Sequence, residues 1–255
     1  MVFDQMELSV GGRQKNQSLE EKTSNTAVLQ SSLFFADRGL RNMKKYTKEE
    51  AIAIVVNCAE RYRAELDGKN LLFICHNKHK NVFPIEFSFY GNNYMHLTGL
   101  KPKRDIEDEA ERSLYANDFY QKCLDHKLSP SDFDFSDDGT THMKLDVLPG
   151  IICKNLHASI IGDFNSSKPR LYTEKVVGGI HACMGFVFDP KITEYVPNTV
   201  IQEDIRDLTS NEVRVIAVYR KDTNAGQYNE ITYKAKKVDW STVKYPDNLQ
   251  YLLTL

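Results

Sequence analysis

The chain has 255 residues, of which 41% are hydrophobic and 27% are charged, and its formal net charge is -2. This composition excludes disorder throughout the chain, and the length is sufficient for one large domain or two small ones. A net charge close to zero also disfavours indiscriminate nucleic-acid binding, which depends on many cationic phosphate contacts. Any contact with RNA or DNA must therefore be local.

The cysteines and the apolar runs indicate the compartment. The five cysteines are odd in number, widely spaced and without a CxxC pair, so we interpret them as reduced core thiols and expect no structural zinc site. No apolar run approaches the roughly 18 residues of a membrane span, and the first residues lack the apolar centre of a signal peptide. We therefore expect a cytosolic protein without a membrane partner.

The first hundred residues divide into a polar arm and a segment with a clear helical pattern and a strand pair. Residues 1–45 are rich in Gln, Asn, Ser and Lys, which predicts a partly mobile arm with one docking helix near residues 29–35. Thr47 and Glu50 then form a capping box before apolar residues at helical spacing, which predicts a helix over 47–66. A strand pair over 71–75 and 84–89 follows, with a turn at Gly99.

The rest of the chain changes from helical to strand periodicity. We predict a helix over 106–124 and a second helix that begins at the Ser129-Pro130 pair. A third is predicted over 143–156, with a kink near Pro149. From His157 onward the apolar period is two, which predicts strands over 158–164, 171–177, 180–188, 194–200, 213–219 and 228–235.

Helices followed by antiparallel strands indicate an α+β fold with a helical N-terminal lobe and an antiparallel β-sheet. We accordingly expect an arm over 1–45, a helix and hairpin subdomain over 46–100, and an α+β domain over 101–255.

The last predicted strand has one polar face. Strict alternation places Tyr228, Glu230, Thr232 and Lys234 on the same side, and residues 212–237 contain six basic and three acidic side chains. Converging hydroxyl and ammonium groups can bind an anion or polarise a phosphate. The alternative interpretation is an ordinary solvent-facing sheet surface.

The sequence lacks the common catalytic motifs. It contains no P-loop, no GxGxxG after a strand, no HExxH and no GxSxG, which removes the simplest nucleotide-binding, metalloprotease and hydrolase interpretations. What remains is chemistry without a metal or cofactor. Cleavage of RNA through its own 2'-hydroxyl needs a base, an acid and cations, which His, Glu, Tyr, Lys and Arg side chains can supply.

His96 is the best acid/base candidate because of its position between Met95 and the Leu97-Thr98-Gly99 turn. The alternative is a histidine whose ring nitrogens satisfy backbone groups under that turn. Tyr172 and Lys175 point to opposite faces of a regular strand, so both can reach one site only through a bulge or the strand's end.

Arg220 and Lys221 end an apolar strand, where phosphate-binding cations often emerge. This position makes both side chains candidate contacts for a nucleic-acid backbone.

Several short blocks together carry a family resemblance: Tyr94-Met95-His96-Leu97-Thr98-Gly99, Phe119-Tyr120-Gln121-Lys122-Cys123, Leu171-Tyr172-Thr173-Glu174-Lys175, Cys183-Met184-Gly185-Phe186, Tyr195-Val196-Pro197-Asn198-Thr199 and Tyr228-Asn229-Glu230-Ile231-Thr232-Tyr233. In order and spacing they resemble the phage-associated branch of the barnase, EndoU, colicin and RelE-like nucleases, over roughly residues 83–236.

This resemblance implies a metal-independent and cofactor-free endoribonuclease of a phage or mobile element, acting on tRNA or mRNA in the cytoplasm of a bacterial host. It implies that His96 is a general acid or base, that Tyr172 is a hydrogen-bond donor or alternate acid, and that Lys175 and Arg220 clamp the phosphate. The substrate-binding positions that it implies are Thr98, Thr173, Thr232 and Lys234, with Thr232 orienting the phosphate. Lys221, next to Arg220, is a further candidate contact.

Two other functions remain open. The first is a non-catalytic phage-encoded binding protein that acts on a host defence complex, with contacts from the N-terminal arm and exposed aromatic residues such as Phe34, Phe35 and Tyr46. The second is a transferase that uses an NAD-like ligand, because Tyr, His and Glu side chains on sheet edges can also hold a nicotinamide ribose.

Overall fold

The structure is a computed structural model that describes residues 44–79, 81–165 and 171–254. Nearly all of the predicted arm, with its docking helix and with Phe34 and Phe35, lies outside these residues. Tyr46 is described and is not exposed as we expected, because only 7% of its surface is accessible. Its hydroxyl donates to Asp146 Oδ1 at 3.0 Å, so it belongs to the core.

The helices of the described residues are mostly in the first half of the chain. They are α1 (Lys48–Glu65), α2 (Tyr94–Thr98), α3 (Glu109–Leu124), α4 (Thr140–Ile151) and α5 (Ile205–Leu208). Helix α1 begins where the sequence predicts, because the Thr47 side chain and the Glu50 side chain each accept the other residue's backbone N–H.

The strands are β1 (Lys69–His76), β2 (Val82–Phe89), β3 (Ile160–Phe164), β4 (Lys175–Gly178), β5 (Cys183–Asp189), β6 (Glu194–Ile201), β7 (Thr209–Asp222) and β8 (Glu230–Lys234). They form one sheet in the order β1-β2-β6-β5-β4-β3-β7-β8. All pairings are antiparallel except that of β2 with β6, which meet at Phe87 and Tyr195.

The sheet curves back on itself. Strand β7 pairs with β1 along one edge and with β3 and then β8 along the other. The pairings from β1 through β2, β6, β5, β4, β3 and β7 therefore return to β1 and form a closed ring, to which β8 is added. Strands from the predicted 46–100 subdomain thus share this sheet with strands from the predicted 101–255 domain.

The two faces of the sheet belong to different parts of the core. On the inner face, side chains such as Phe73, Phe87 and Val177 join the main core together with residues of α1, α3 and α4. On the outer face, Leu72 and Ile74 pack against the C-terminal residues, while a third cluster surrounds α5. Because successive strand residues point to opposite faces, each strand contributes to two environments.

The α+β class and the helical N-terminal lobe are confirmed, and several local predictions are corrected. No helix begins at Ser129-Pro130, because the Asp132 side chain accepts from both the backbone N–H and the hydroxyl of Ser129 and closes a turn instead. Residues 171–174 are not strand.

The described residues also contain no helix long and apolar enough to cross a membrane. Of the five cysteines, Cys58, Cys75, Cys123 and Cys183 are buried and Cys153 is partly buried, all with free thiols.

Candidate functional site

A cleft of about 610 Å³ opens on the inner face of the sheet, beyond the turn that joins β1 to β2. We call it the inner cleft. Its walls are Asn77, Lys78, His79, Phe83, Ile85, Ile161, Gly162, Asp163, Lys175, Asn211, Glu212 and Val213. Seven of these twelve residues are polar or charged, which favours a polar ligand, and the volume of the cleft is within the usual range of ligand sites.

The polar centre of the inner cleft is an ion pair between Lys175 and Asp163. The two residues are direct partners in the pairing of β4 with β3, and the Lys175 Nζ contacts Asp163 Oδ1. Asp163 Oδ2 also accepts from Asn211 Nδ2 at 2.9 Å. Although burial alone would raise the pKa of Asp163, the hydrogen bonds from Lys175 and Asn211 hold it below its usual value, so the carboxylate is charged.

The β1–β2 turn also lines the inner cleft and contributes His79. The Asn77 side-chain oxygen accepts from the backbone N–H groups of His79 at 2.9 Å and Asn81 at 3.0 Å. The turn is therefore held by its own asparagine. His79 and the neighbouring Lys78 are exposed at the wall of the cleft, where an imidazole can exchange protons with a bound molecule.

His96, the predicted acid or base, lies on α2, and α2 packs against α4 and β6. Its side chain is exposed, while its carbonyl oxygen accepts from Lys144 Nζ at 3.1 Å. Desolvation by the surrounding protein, and then the charge of Lys144, lower the pKa of His96. Among the described contacts, no hydrogen bond or ion pair joins His96 to Lys175, Tyr172 or Arg220.

Thr98 does not face a binding surface, contrary to expectation. It is fully buried, and its hydroxyl donates to the Met95 carbonyl at 2.7 Å and accepts from the Leu100 N–H at 3.1 Å. Both hydrogen-bonding functions thus serve the end of α2, where Gly99 has a φ of 71°. The physical reason is local, since a buried helix end needs partners for its free backbone groups.

Tyr172 and Thr173 precede β4 and point to different environments. Tyr172 is 84% exposed, and its backbone carbonyl accepts from the Asn198 side chain. Thr173 is buried and its hydroxyl donates to Asn198 Oδ1 at 3.3 Å. Asn198 takes this role because it is the extra residue of a β-bulge, opposite Gly185 and Phe186.

Arg220 is bound to the protein rather than exposed for a phosphate. Its guanidinium donates to Glu65 Oε2 at 2.9 Å and to Glu65 O at 3.0 Å. It also forms an ion pair with Glu230 at 2.7 Å, and its side chain is 17% exposed. Arg220 therefore ties the end of α1 to β7 and β8, with both carboxylates as fixed partners.

The remaining predicted contacts are spread over the sheet. Lys221 lies near Glu86 at 3.7 Å and above the Tyr228 ring. The Thr232 hydroxyl donates to the Val218 carbonyl at 3.2 Å. Lys234 lies over the Trp240 ring. The predicted polar face of the last strand is not continuous, because a register shift places Thr232 in a bulge and because Tyr228 is buried.

Of the nine predicted site residues, Lys175 is the one that lines the inner cleft. Its neighbours there, Asp163, Asn211 and His79, were not predicted. Asp163 gave a sequence signal, since it is a charged residue inside the apolar run 158–164. His79 and Asn211 gave no such signal, because both lie in polar stretches, His79 after β1 and Asn211 near the start of β7. No group of three or more His, Cys, Asp or Glu side chains suited to a metal ion occurs within 44–79, 81–165 and 171–254.

Comparison with known proteins identifies the family. No curated protein and no solved structure matches the chain. A family model described as phage-Barnase-EndoU-ColicinE5/D-RelE like nuclease4 matches residues 54–237. The match begins earlier than the resemblance over 83–236 and includes most of α1 and all of β1 and β2. Because it covers more than half of the chain, the protein belongs to this family of nucleases.

Proposed function

We propose that the protein is an endoribonuclease of a phage or mobile element that cleaves RNA by attack of the 2'-hydroxyl, without a metal ion, in the inner cleft. The observation that carries this proposal is the Lys175 ammonium group, which Asp163 holds at the centre of a cleft that His79 also lines. Membership of a nuclease family supports a nucleic-acid substrate.

The chemistry of these groups favours RNA over DNA. RNA carries its own nucleophile, so a site needs only a group that accepts the 2'-hydroxyl proton, a group that protonates the leaving 5'-oxygen, and a cation near the phosphorane. His79 is the imidazole that lines the cleft and can exchange protons with the bound RNA, and Lys175 supplies the positive charge. The product would be a 2',3'-cyclic phosphate and a free 5'-hydroxyl, with the proton taken from the 2'-oxygen balanced by the one given to the 5'-oxygen.

Asp163 has a positioning role in this proposal. A lysine on a flexible stem loses conformational freedom when it binds. The pairing with Asp163, whose other oxygen accepts from Asn211, orients Lys175 before the substrate arrives. The side chains of His96, Tyr172 and Thr173 are not among the residues that line the inner cleft. Their role as RNA contacts elsewhere on the protein therefore stays a prediction.

The test is incubation of the purified protein with total bacterial RNA and with single-stranded DNA of similar length, both in excess EDTA. The proposal predicts RNA fragments with 2',3'-cyclic phosphate ends and intact DNA. Cleavage of both substrates, or cleavage that EDTA abolishes, would contradict it. Intact RNA at high protein concentration would favour the alternative function, a phage-encoded protein that binds a host defence complex.

A further inference from the structure

A second cleft, of about 380 Å³, opens on the outer face of the sheet. We call it the outer cleft. It lies between β1, β2, the loop before β8 and the C-terminal residues, and its lining residues are Leu72, Pro84, Glu86, Gly226, Gln227, Tyr228, Asn248, Leu249 and Tyr251. The walls thus combine one carboxylate, two tyrosines, two amides and several apolar side chains.

Glu86 is supported from below by buried polar groups. Its Oε1 accepts from the Asn70 side-chain nitrogen at 2.7 Å, and Asn70 is only 2% exposed. Lys221, whose side chain is 16% exposed, approaches the same oxygen to 3.7 Å and lies over the Tyr228 ring. The Glu86 side chain itself is 40% exposed. Asn70 and Lys221 thus hold the Glu86 carboxylate in one orientation at the wall of the outer cleft.

This buried layer is also incompletely hydrogen-bonded. Within the described residues, Asn70 Oδ1 is buried and has no hydrogen-bond partner. The buried hydroxyls of Ser88 and Tyr228 lie near Tyr90 and Glu86, which can serve as their partners. Asn70 and Ser88 are direct partners in the pairing of β1 with β2. Buried polar groups without partners are rare, and where they occur they mark strain or function. Here the group belongs to the amide that donates to Glu86, the one carboxylate that lines the outer cleft.

The charge and shape of the outer cleft select the class of ligand. Among its described lining residues there is a carboxylate and no lysine or arginine, so the cleft does not suit a phosphate or another anion. Tyr251 accepts the Tyr228 N–H at 3.0 Å, which leaves the Tyr251 hydroxyl proton free to donate. A flat ligand with N–H donors for Glu86 and an acceptor for a hydroxyl fits these groups, and nucleobases have this pattern.

Guanine matches a carboxylate best among the four bases of RNA. Its ring N–H and adjacent amino group present two neighbouring donors. A carboxylate has about four lone-pair sites on its two oxygens, so Glu86 retains acceptor capacity beyond its contacts with Asn70 and Tyr228. Adenine and cytosine place an acceptor next to the amino group, and uracil has one N–H between two acceptors. The volume of the cleft is sufficient for a base and its ribose.

The outer cleft and the inner cleft lie on opposite sides of one open edge. Phe83 and Ile85 line the inner cleft, and Pro84 and Glu86, which alternate with them, line the outer cleft. In the part of the chain that the structure describes, β2 pairs with β6 only at Phe87. The segment before Phe87 therefore has a free edge, over which a single strand can pass from one cleft to the other.

We propose that the outer cleft binds a guanine base through Glu86 and that it is a base-recognition site for the RNA cut in the inner cleft. The second part rests on the proposed ribonuclease function, whereas the first part does not. The guanine can come from an RNA strand or from a free nucleoside, and both present the same edge to Glu86.

The experiment measures binding of guanosine, adenosine, cytidine and uridine to the full chain by ligand-observed NMR. A second series uses 2'-O-methyl oligonucleotides with and without guanine, which cannot be cut through the 2'-oxygen. The variant is Glu86→Gln, which keeps the shape of the side chain, and the matched control is Glu49→Gln on the exposed surface of α1. Thermal unfolding of each variant confirms that it is folded.

The expected result is preference for guanosine or for the guanine-containing oligonucleotide, weakened roughly tenfold in Glu86→Gln and unchanged in the control, since a paired base contact contributes about that discrimination. Binding of guanosine alone would assign the site to a free nucleoside, and binding of the oligonucleotide alone would assign it to RNA. Equal binding of all four bases, no binding at millimolar concentration, or an unchanged Glu86→Gln variant would overturn the proposal.

The experiments distinguish failure of the proposed ribonuclease function from failure of the proposed guanine site. A protein that binds guanosine through Glu86 but leaves RNA intact would retain this site and refute catalysis. A protein that cuts RNA but shows no guanine preference, in binding or in the position of the cuts, would retain catalysis and refute the guanine site.

Discussion

Lys175 and Asp163 face each other across the pairing of β4 with β3, and their side chains form an ion pair on the inner face of the sheet. Both share this face with core residues of their own strands, Val177 and Ile161. An ion pair that lies between a closed core and an open cleft is partly shielded from solvent, so its charges act more strongly than those of a surface pair.

His79→Ala tests which histidine exchanges protons. We expect the variant to cut RNA roughly 10²- to 10⁴-fold more slowly, the usual loss for a general acid or base, while His96→Ala, which alters a side chain outside the inner cleft, loses far less. Rates of cyclic-phosphate formation on one short RNA measure both. The reverse ranking would move the catalytic centre to the end of α2, where His96 lies beside Lys144.

Arg220→Ala should lower the stability of the fold rather than impair RNA cleavage directly. The guanidinium bridges Glu65 and Glu230, and its loss leaves two carboxylates close together. Because the glutamates are partly exposed, we expect a loss of roughly 2 kcal/mol in the free energy of unfolding, less than for a fully buried pair. Urea unfolding measures this loss, with Arg206→Ala, which alters an exposed arginine, as the control. Unchanged stability with lost RNA binding would restore Arg220 as a phosphate clamp.

Thr98→Val removes a hydroxyl that makes two buried hydrogen bonds and keeps the shape of the side chain. We expect a loss of about 2 kcal/mol in the free energy of unfolding, because the Met95 carbonyl and the Leu100 N–H are left without a partner. Thr98→Ser retains the hydroxyl and should lose about half as much. If Thr98→Val had normal stability and weak RNA binding, Thr98 would be a substrate contact after all.

The capping box at Thr47 and Glu50 shows what the sequence could predict. Its information is local, since the four residues from Thr47 to Glu50 contain both partners of each hydrogen bond. Helix α1 begins where expected. The alternation in residues 228–235 was less informative. It assumes a regular strand, whereas the shift between Val218 and Tyr219 displaces Thr232, and a bulge depends on the partner strand as much as on the strand itself.

The candidate site was harder to predict for the same reason. Lys175 could be chosen from its own segment. Its partner Asp163 comes from β3, and Asn211, which donates to Asp163, comes from β7, so only the order of strands in the sheet brings them together. Arg220 illustrates the opposite error. Its position at the end of an apolar strand suggested a free cation. One glutamate partner, Glu65, is 155 residues away in sequence, and the other, Glu230, meets Arg220 only through the pairing of β7 with β8.

Lys144 provides a pH-dependent test of the region near His96. Burial lowers the pKa of its ammonium group from 10.5 to about 8. Between these values the unfolded chain binds more protons than the folded one, so stability rises with pH over this range. The charged lysine therefore destabilises the fold below pH 8, and this effect disappears as the pH approaches 10.5.

Lys144→Met should accordingly be more stable than the wild type at pH 7, by about 1 kcal/mol after the lost contact with the His96 carbonyl is allowed for. The difference should shrink at pH 9.5. Urea unfolding at both pH values measures it, with Lys236→Met at an exposed position as the control. A difference that grows with pH would show that the pKa of Lys144 is not lowered.

The decisive measurement compares the wild type with Lys175→Ala on total bacterial RNA in excess EDTA, with Lys236→Ala as the matched control at an exposed lysine. If the inner cleft is the site of cleavage, the wild type and the control release fragments with 2',3'-cyclic phosphate ends, and Lys175→Ala releases them at least 100-fold more slowly, the usual loss when a transition-state charge is no longer stabilised. If Lys175→Ala is folded and cuts RNA as fast as the wild type, the inner cleft is not the catalytic site.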